Sequence, residues 1–229
     1  YNRIGKETRN IVMANYSNDF SIENLEVIRR YQSNEDNVFF AYSEFSYNTL
    51  VGAYEPFLDI ICNMHRRFIG GSFDDFQKEC GVYYLHRQVL NSYYETGECF
   101  REETVLLNEV AYEQRRMTMA IADMLKKLSE VKPLMIVINR FQMASKSSIE
   151  TIKYLIDNPC ANIGIVLGVN AIVKGTDSTV EVWDRIVESL EDRSAIYYIG
   201  SAGPLKNNVK TTNLSLIHIS EPTRLALIS

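Results

Sequence analysis

Five consecutive apolar residues, Leu134 to Ile138, follow Pro133 and stop at the polar pair Asn139 and Arg140. A short unbroken apolar run of this kind reads as a strand buried on both faces, which is how strands of a parallel sheet look. Ile163 to Val169 repeats the pattern and stops at Asn170, and Ala195 to Ile199 supplies a third run. Between them lie two helical signals. Ser147-Ser148-Ile149-Glu150 is a capping-box pattern that starts a helix through Ile156, closed by Asn158-Pro159. Ser178-Thr179-Val180-Glu181 repeats it, with Val180, Trp183, Ile186, Val187 and Leu190 on one face, so Trp183 is expected in the core. Strand, helix, strand, helix, strand at these spacings requires right-handed crossovers and a parallel, helix-covered sheet, an α/β chain. Ligands collect beyond the carboxyl ends of such strands, which makes Asn139 and its neighbours the first candidates for a site.

Upstream, Val38 to Tyr42 is aromatic and β-branched and reads as a strand ending at Ser43 and Glu44. Tyr54-Glu55-Pro56 puts a proline at a helix start, and Phe57, Ile60, Ile61, Met64 and Phe68 recur at helical spacing until Gly70-Gly71. Gly71 to Arg101 is weakly periodic and reads as short helices. From Thr104 to Leu128 one apolar stripe argues a long amphipathic helix in which Met117, Met119 and Met124 are expected to pack. Arg9 to Tyr16 is expected to begin a helix.

The 229 residues carry a net charge of −5 without any Lys/Arg block, which gives no support to a nucleic-acid face or an anionic-membrane patch. Cys62, Cys80, Cys99 and Cys160 are widely spaced with no C-x-x-C, and the three histidines make no H-x-x-x-H, so a zinc site is not expected. Packed, reduced thiols in a cytosolic protein are the expectation. No apolar run approaches the length of a membrane span.

Five pieces in order resemble the ATPase domain of the AAA+/STAND signalling NTPases of bacterial multidomain regulators. They are Gly5-Lys6, a strand ending in Glu44, Tyr54-Glu55-Pro56-Phe57, the stretch LMIVINRFQMAS from Leu134 to Ser145, and Gly203-Pro204-Leu205. The resemblance covers most of Gly5 to Asn213 and implies a three-layer, P-loop NTPase-like parallel sheet flanked by helices. It makes Gly5 and Lys6 the end of a phosphate loop, whose preceding central strand is then missing and falls before Tyr1. An incomplete sheet of that kind is expected to be poorly stable, because its neighbours expose unpaired backbone. The resemblance further implies ATP with Mg²⁺ as ligands, Thr8 and Asn139 toward the metal, Glu44 as the carboxylate orienting water, and Asn170 as a γ-phosphate sensor.

The pattern departs from the family at three places. Glu7 stands where the loop's Ser or Thr belongs, and Asn139 and Arg140 replace the acidic residues that end the Walker B strand. Three functions remain open: a slow or non-hydrolysing nucleotide switch, a pseudo-ATPase scaffold that lost the metal site, and an unrelated α/β enzyme. By the same resemblance, helical repeats and an output domain would follow in the parent chain. Leu214 to Arg224, LSLIHISEPTR, resembles the translated read-through of a transposon-type sequencing adapter. The NTPase-like domain is therefore assigned to residues 1–213 and the tail 214–229 is set aside as non-native.

Overall fold

The apolar runs form strands, and those strands lie parallel in one sheet. The computed structural model describes residues 11–16, 37–45, 52–99, 109–169, 177–192 and 195–199, with the backbone alone for 177–182 and 198–199. In chain order the elements are β1 (Ile11–Tyr16), β2 (Phe39–Glu44), α1 (Phe57–Met64), a π-helical turn (His65–Ile69), α2 (Phe73–Glu79), α3 (Tyr84–Thr96) and α4 (Val110–Val131). Then come β3 (Leu134–Asn139), a 3₁₀ turn (Phe141–Met143), α5 (Lys146–Asp157), β4 (Ile163–Val169), α6 (Asp177–Asp192) and β5 (Ile196–Ile199). The strand order is β2-β3-β4-β1-β5 and every ladder is parallel. The chain is α/β, a five-stranded parallel sheet flanked by helices.

Two expectations fail together at β1. Ile11 to Tyr16 is a strand, not the start of a helix, and it lies inside the sheet, paired to β4 on one side and β5 on the other. The missing inner strand is thus supplied by this chain. All six of its residues are buried, as expected of a parallel strand covered on both faces, where tertiary packing overrides weak local preference. The ladders of β4 and β5 are satisfied by it, which removes the ground for expecting an open, poorly stable sheet.

α4, α5 and α6 pack side by side, with α1 against α4. α4 buries Met117, Ile121, Met124, Leu125 and Leu128, so two of the three methionines expected to pack are core, whereas Met119 faces outward and is exposed. α5 begins two residues earlier than the capping box suggests: Ser145 is the N-cap and its hydroxyl accepts from Ser148 N. Trp183 is buried in the core as expected, beside Phe141 at 6.0 Å between ring centroids.

The helix from Phe57 does not keep one stripe to Gly70. Gly70 N donates to His65 O at 2.8 Å, closing a wide turn that inserts extra residues per revolution. Phe68 is thereby rotated out of the α1 stripe, remains partly exposed, and stacks on Phe39 at 4.4 Å. Gly70 and Gly71 then take φ of 70° and 73°, where a Cβ would be strained.

Candidate functional site

Parallel pairing brings the carboxyl ends of β1, β2 and β3 to the same edge of the sheet. Glu44 and Asn139 are register partners, so the strand tips singled out in the sequence do meet. Tyr42 and Glu44 are two residues apart on one strand and share a face, which turns the Tyr42 hydroxyl toward the same point.

Asn139 is only 8% exposed and is fully engaged. Its Oδ1 accepts from the Tyr16 hydroxyl and from Arg140 N at 2.9 Å, and its Nδ2 donates to the Tyr42 hydroxyl at 3.3 Å. Tyr42 donates to Glu44 Oε2 at 3.2 Å, and Arg140 Nη2 lies 3.0 Å from Glu44 Oε1. Arg140 Nη1 also donates to Phe45 O at 3.4 Å. One amide therefore ties three strand ends together, and one arginine pairs with the Glu44 carboxylate.

Such an arrangement does not suit Mg²⁺. An amide oxygen has two lone pairs, and both of those on Asn139 are taken. A hard divalent cation also asks for charged or freely available oxygens, whereas the Glu44 carboxylate is held by a guanidinium. Among the described residues no group of three His, Cys, Asp or Glu side chains is placed to hold a metal. Gly5, Lys6, Thr8 and Asn170 lie outside the described residues. Chain order nonetheless bears on the first three. They enter β1 from its amino end, whereas a phosphate loop sharing an edge with Glu44 and Asn139 would leave from Tyr16. The segment from 17 to 38, between β1 and β2, contains neither glycine nor lysine.

The turn after β3 is locally strained. Arg140 has φ 55°, a left-handed conformation uncommon for a residue other than glycine, and it reverses the chain into the 3₁₀ turn. Replacing Arg140 by Gly relieves about 1 kcal/mol of backbone strain but loses a half-exposed ion pair worth about 0–1 kcal/mol and loosens the unfolded chain. The expected result is a melting temperature within about 3 °C of wild type by thermal denaturation.

The third piece of the resemblance meets the start of the helix that follows the fourth. Tyr54, itself at φ 63°, donates its N–H to Ser147 Oγ at 2.9 Å, and Ser148 Oγ donates to Glu55 O. Ser145 Oγ lies 3.0 Å from Ser147 Oγ and 2.9 Å from Ser148 Oγ, so the α5 cap and the start of α1 form one hydrogen-bonded unit. The Tyr54 hydroxyl donates to Gln114 O at 3.1 Å, and burial pushes its pKa up to about 12. Tyr54 is a fixed structural tie and not an acid–base group near neutral pH.

Tyr16 and Tyr42 are the site residues that sequence reasoning missed. The Tyr16 bond spans 123 positions, and nothing local announces it. The spacing of Tyr42 and Glu44 on one strand was the available signal for the other. The four cysteines are free, with Cys62 buried, Cys80 and Cys160 half-buried and Cys99 exposed. Burial raises the Cys62 and Cys80 thiols to about 12, which makes them poor nucleophiles. No helix of the described residues is long and apolar enough to cross a membrane. No family, curated protein or solved structure matches the chain.

Proposed function

We propose that this chain is a pseudo-ATPase: an interaction scaffold with the architecture of the AAA+/STAND signalling NTPases that does not turn over nucleotide. The observation that carries the reading is the β1–β2 connection. A phosphate loop needs glycines so that backbone N–H groups can close around phosphate oxygens, and a lysine to balance their charge. Residues 17–38 offer neither.

The carboxyl edge supports the same conclusion. Where the resemblance implies an acid for Mg²⁺ and another for water, the chain has an amide with both lone pairs committed and an arginine paired to Glu44. Binding energy in a scaffold comes from surfaces and not from a metal centre, and the partners implied are helical repeat and output domains of the same parent chain. That last step is analogy at the level of fold.

The test is nucleotide binding and turnover by the full chain at millimolar ATP with Mg²⁺. The expected result is phosphate release at the level of buffer and an unchanged melting temperature. A ligand present at about a hundred times its Kd would add about 2.7 kcal/mol, a shift of several degrees. Turnover that disappears in Lys6→Ala would overturn the scaffold and restore a nucleotide switch built on Gly5 and Lys6.

A further inference from the structure

The end of α1 holds a histidine with nowhere to put a second proton. His65 is 0% exposed and sits in the π-helical turn against the rings of Phe73 and Phe76 of α2 and Tyr94 of α3, at 5.1, 5.2 and 5.5 Å between centroids. Its Nδ1 lies 3.2 Å from the Tyr94 hydroxyl, while its Nε2 is buried with no hydrogen-bond partner among the described residues. Whichever tautomer is present, one nitrogen is satisfied and the other is not. An imidazolium would present two donors to a single oxygen in an aromatic box, and a buried unmet donor on a charged ring is costly.

The charges around the ring make protonation harder still. From its own turn, Arg66 stands beside it, with its guanidinium 4.2 Å over the Tyr94 ring and donating to Tyr94 O. α2 contributes Phe73 and Phe76, which are apolar, and α3 contributes the Tyr94 hydroxyl. Burial, and next the Arg66 charge, hold the His65 pKa below its ordinary value of 6.5. A histidine depressed in the folded state stabilises the fold fully above that ordinary value and loses the contribution as pH falls toward the folded value.

The two ends of α3 are held by different chemistry. Near its start, His86 Nε2 lies 2.7 Å from Glu113 Oε2 of α4, a contact that survives as a hydrogen bond or as an ion pair. Near its end, Tyr94 stacks on Phe73 at 4.3 Å beside His65, and the Tyr93 hydroxyl donates to Asp59 of α1 at 2.7 Å. We propose that His65 is an acid-released latch: its protonation frees the end of α3, together with α2, from the end of α1, while the His86–Glu113 contact keeps the start of α3 on α4. The device would expose the aromatic faces of Phe73 and Tyr94 under mildly acidic conditions.

The experiment is amide hydrogen exchange on the full chain between about pH 7.5 and about pH 5, corrected for intrinsic rates, read over Leu90 to Thr96 and over α4 and α5. The expected result is opening of the α3 end that rises up to about tenfold per pH unit below the ordinary histidine value, with α4 and α5 unchanged. His65→Phe should abolish that slope, and Asp59→Asn, which keeps an acceptor for Tyr93 without its titration, should retain it. A flat profile in the wild type, or the same slope in His65→Phe, overturns the latch. Should His65→Phe fail to fold, NMR of the His65 ring in the wild-type chain decides. Titration below the ordinary value in step with the exchange supports the latch, and titration at or above it with α3 still protected overturns it.

Discussion

Asn139→Ala is expected to lower the melting temperature by about 5–15 °C, the consequence of losing about 2–4 kcal/mol in a chain of this size. The deleted amide is the common partner of Tyr16, Tyr42 and Arg140 N, and truncation removes the acceptor it gives the buried Tyr16 hydroxyl and the Arg140 N–H. Leaving buried donors unmet costs more than the bonds themselves contribute. Asn139→Asp keeps an acceptor for Tyr16 and Arg140 N but gives up the donor to Tyr42 and buries a second carboxylate beside Glu44, so it should restore only part of the loss. On the proposed scaffold reading, restoring an acid at this position should not bring ATPase activity, since residues 17–38, which follow β1, contain neither glycine nor lysine. The double-mutant cycle with Tyr16→Phe tests the geometry directly. The two losses should fail to add by about 1 kcal/mol or more, as residues in one network do. Strict additivity in thermal or urea unfolding would show that Tyr16 and Asn139 act independently.

β3 and β4 were legible because a strand buried on both faces leaves a continuous apolar run, and LMIVI and IGIVLGV have few competing interpretations. β1 was not. Ile11 to Ala14 is too short for periodicity to separate a strand from a buried helical turn, and reading Gly5-Lys6 as a phosphate loop required a helix next. The ladder with β4 and β5 decides the matter, and pairing partners more than 150 positions away leave no local trace. Phe68 shows a subtler failure. The 3.6-residue stripe from Phe57 places it in the core, but the five-residue hydrogen-bonded turn at His65 breaks the period, and no residue type marks that break in advance.

The candidate site divides in the same way. Glu44 and Asn139 were brought together correctly because parallel register aligns strand ends, a rule of topology that needs no side-chain detail. Their chemistry was not foreseen. Asn139 and Arg140 stand where the resemblance puts acidic residues, but in the structure Arg140 is the cation that pairs with Glu44 and Asn139 is a cross-brace between strand ends.

Phe141→Ala is expected to be the most damaging single truncation near this edge, costing about 3–5 kcal/mol and lowering the melting temperature by about 6–20 °C. Arg140 turns the chain at the end of β3 so that Phe141 drops into the interior, fully buried, with Trp183 of α6 at 6.0 Å. Removing the ring opens a cavity under the turn that carries the edge network, and Trp183, itself buried, is too constrained by its neighbours to fill it. Trp183 is the sole tryptophan, so its fluorescence reports on this contact without labelling. In urea, the midpoint should fall while the slope of the transition stays the same, the signature of a less stable native state and not of a changed unfolded one. The native emission should shift as the indole loses its neighbour. Phe141→Leu keeps most of the volume and should cost less than half as much. Equal losses for Ala and Leu would mean that the turn depends on the aromatic ring itself, and an unchanged Ala variant would remove Phe141 from the core.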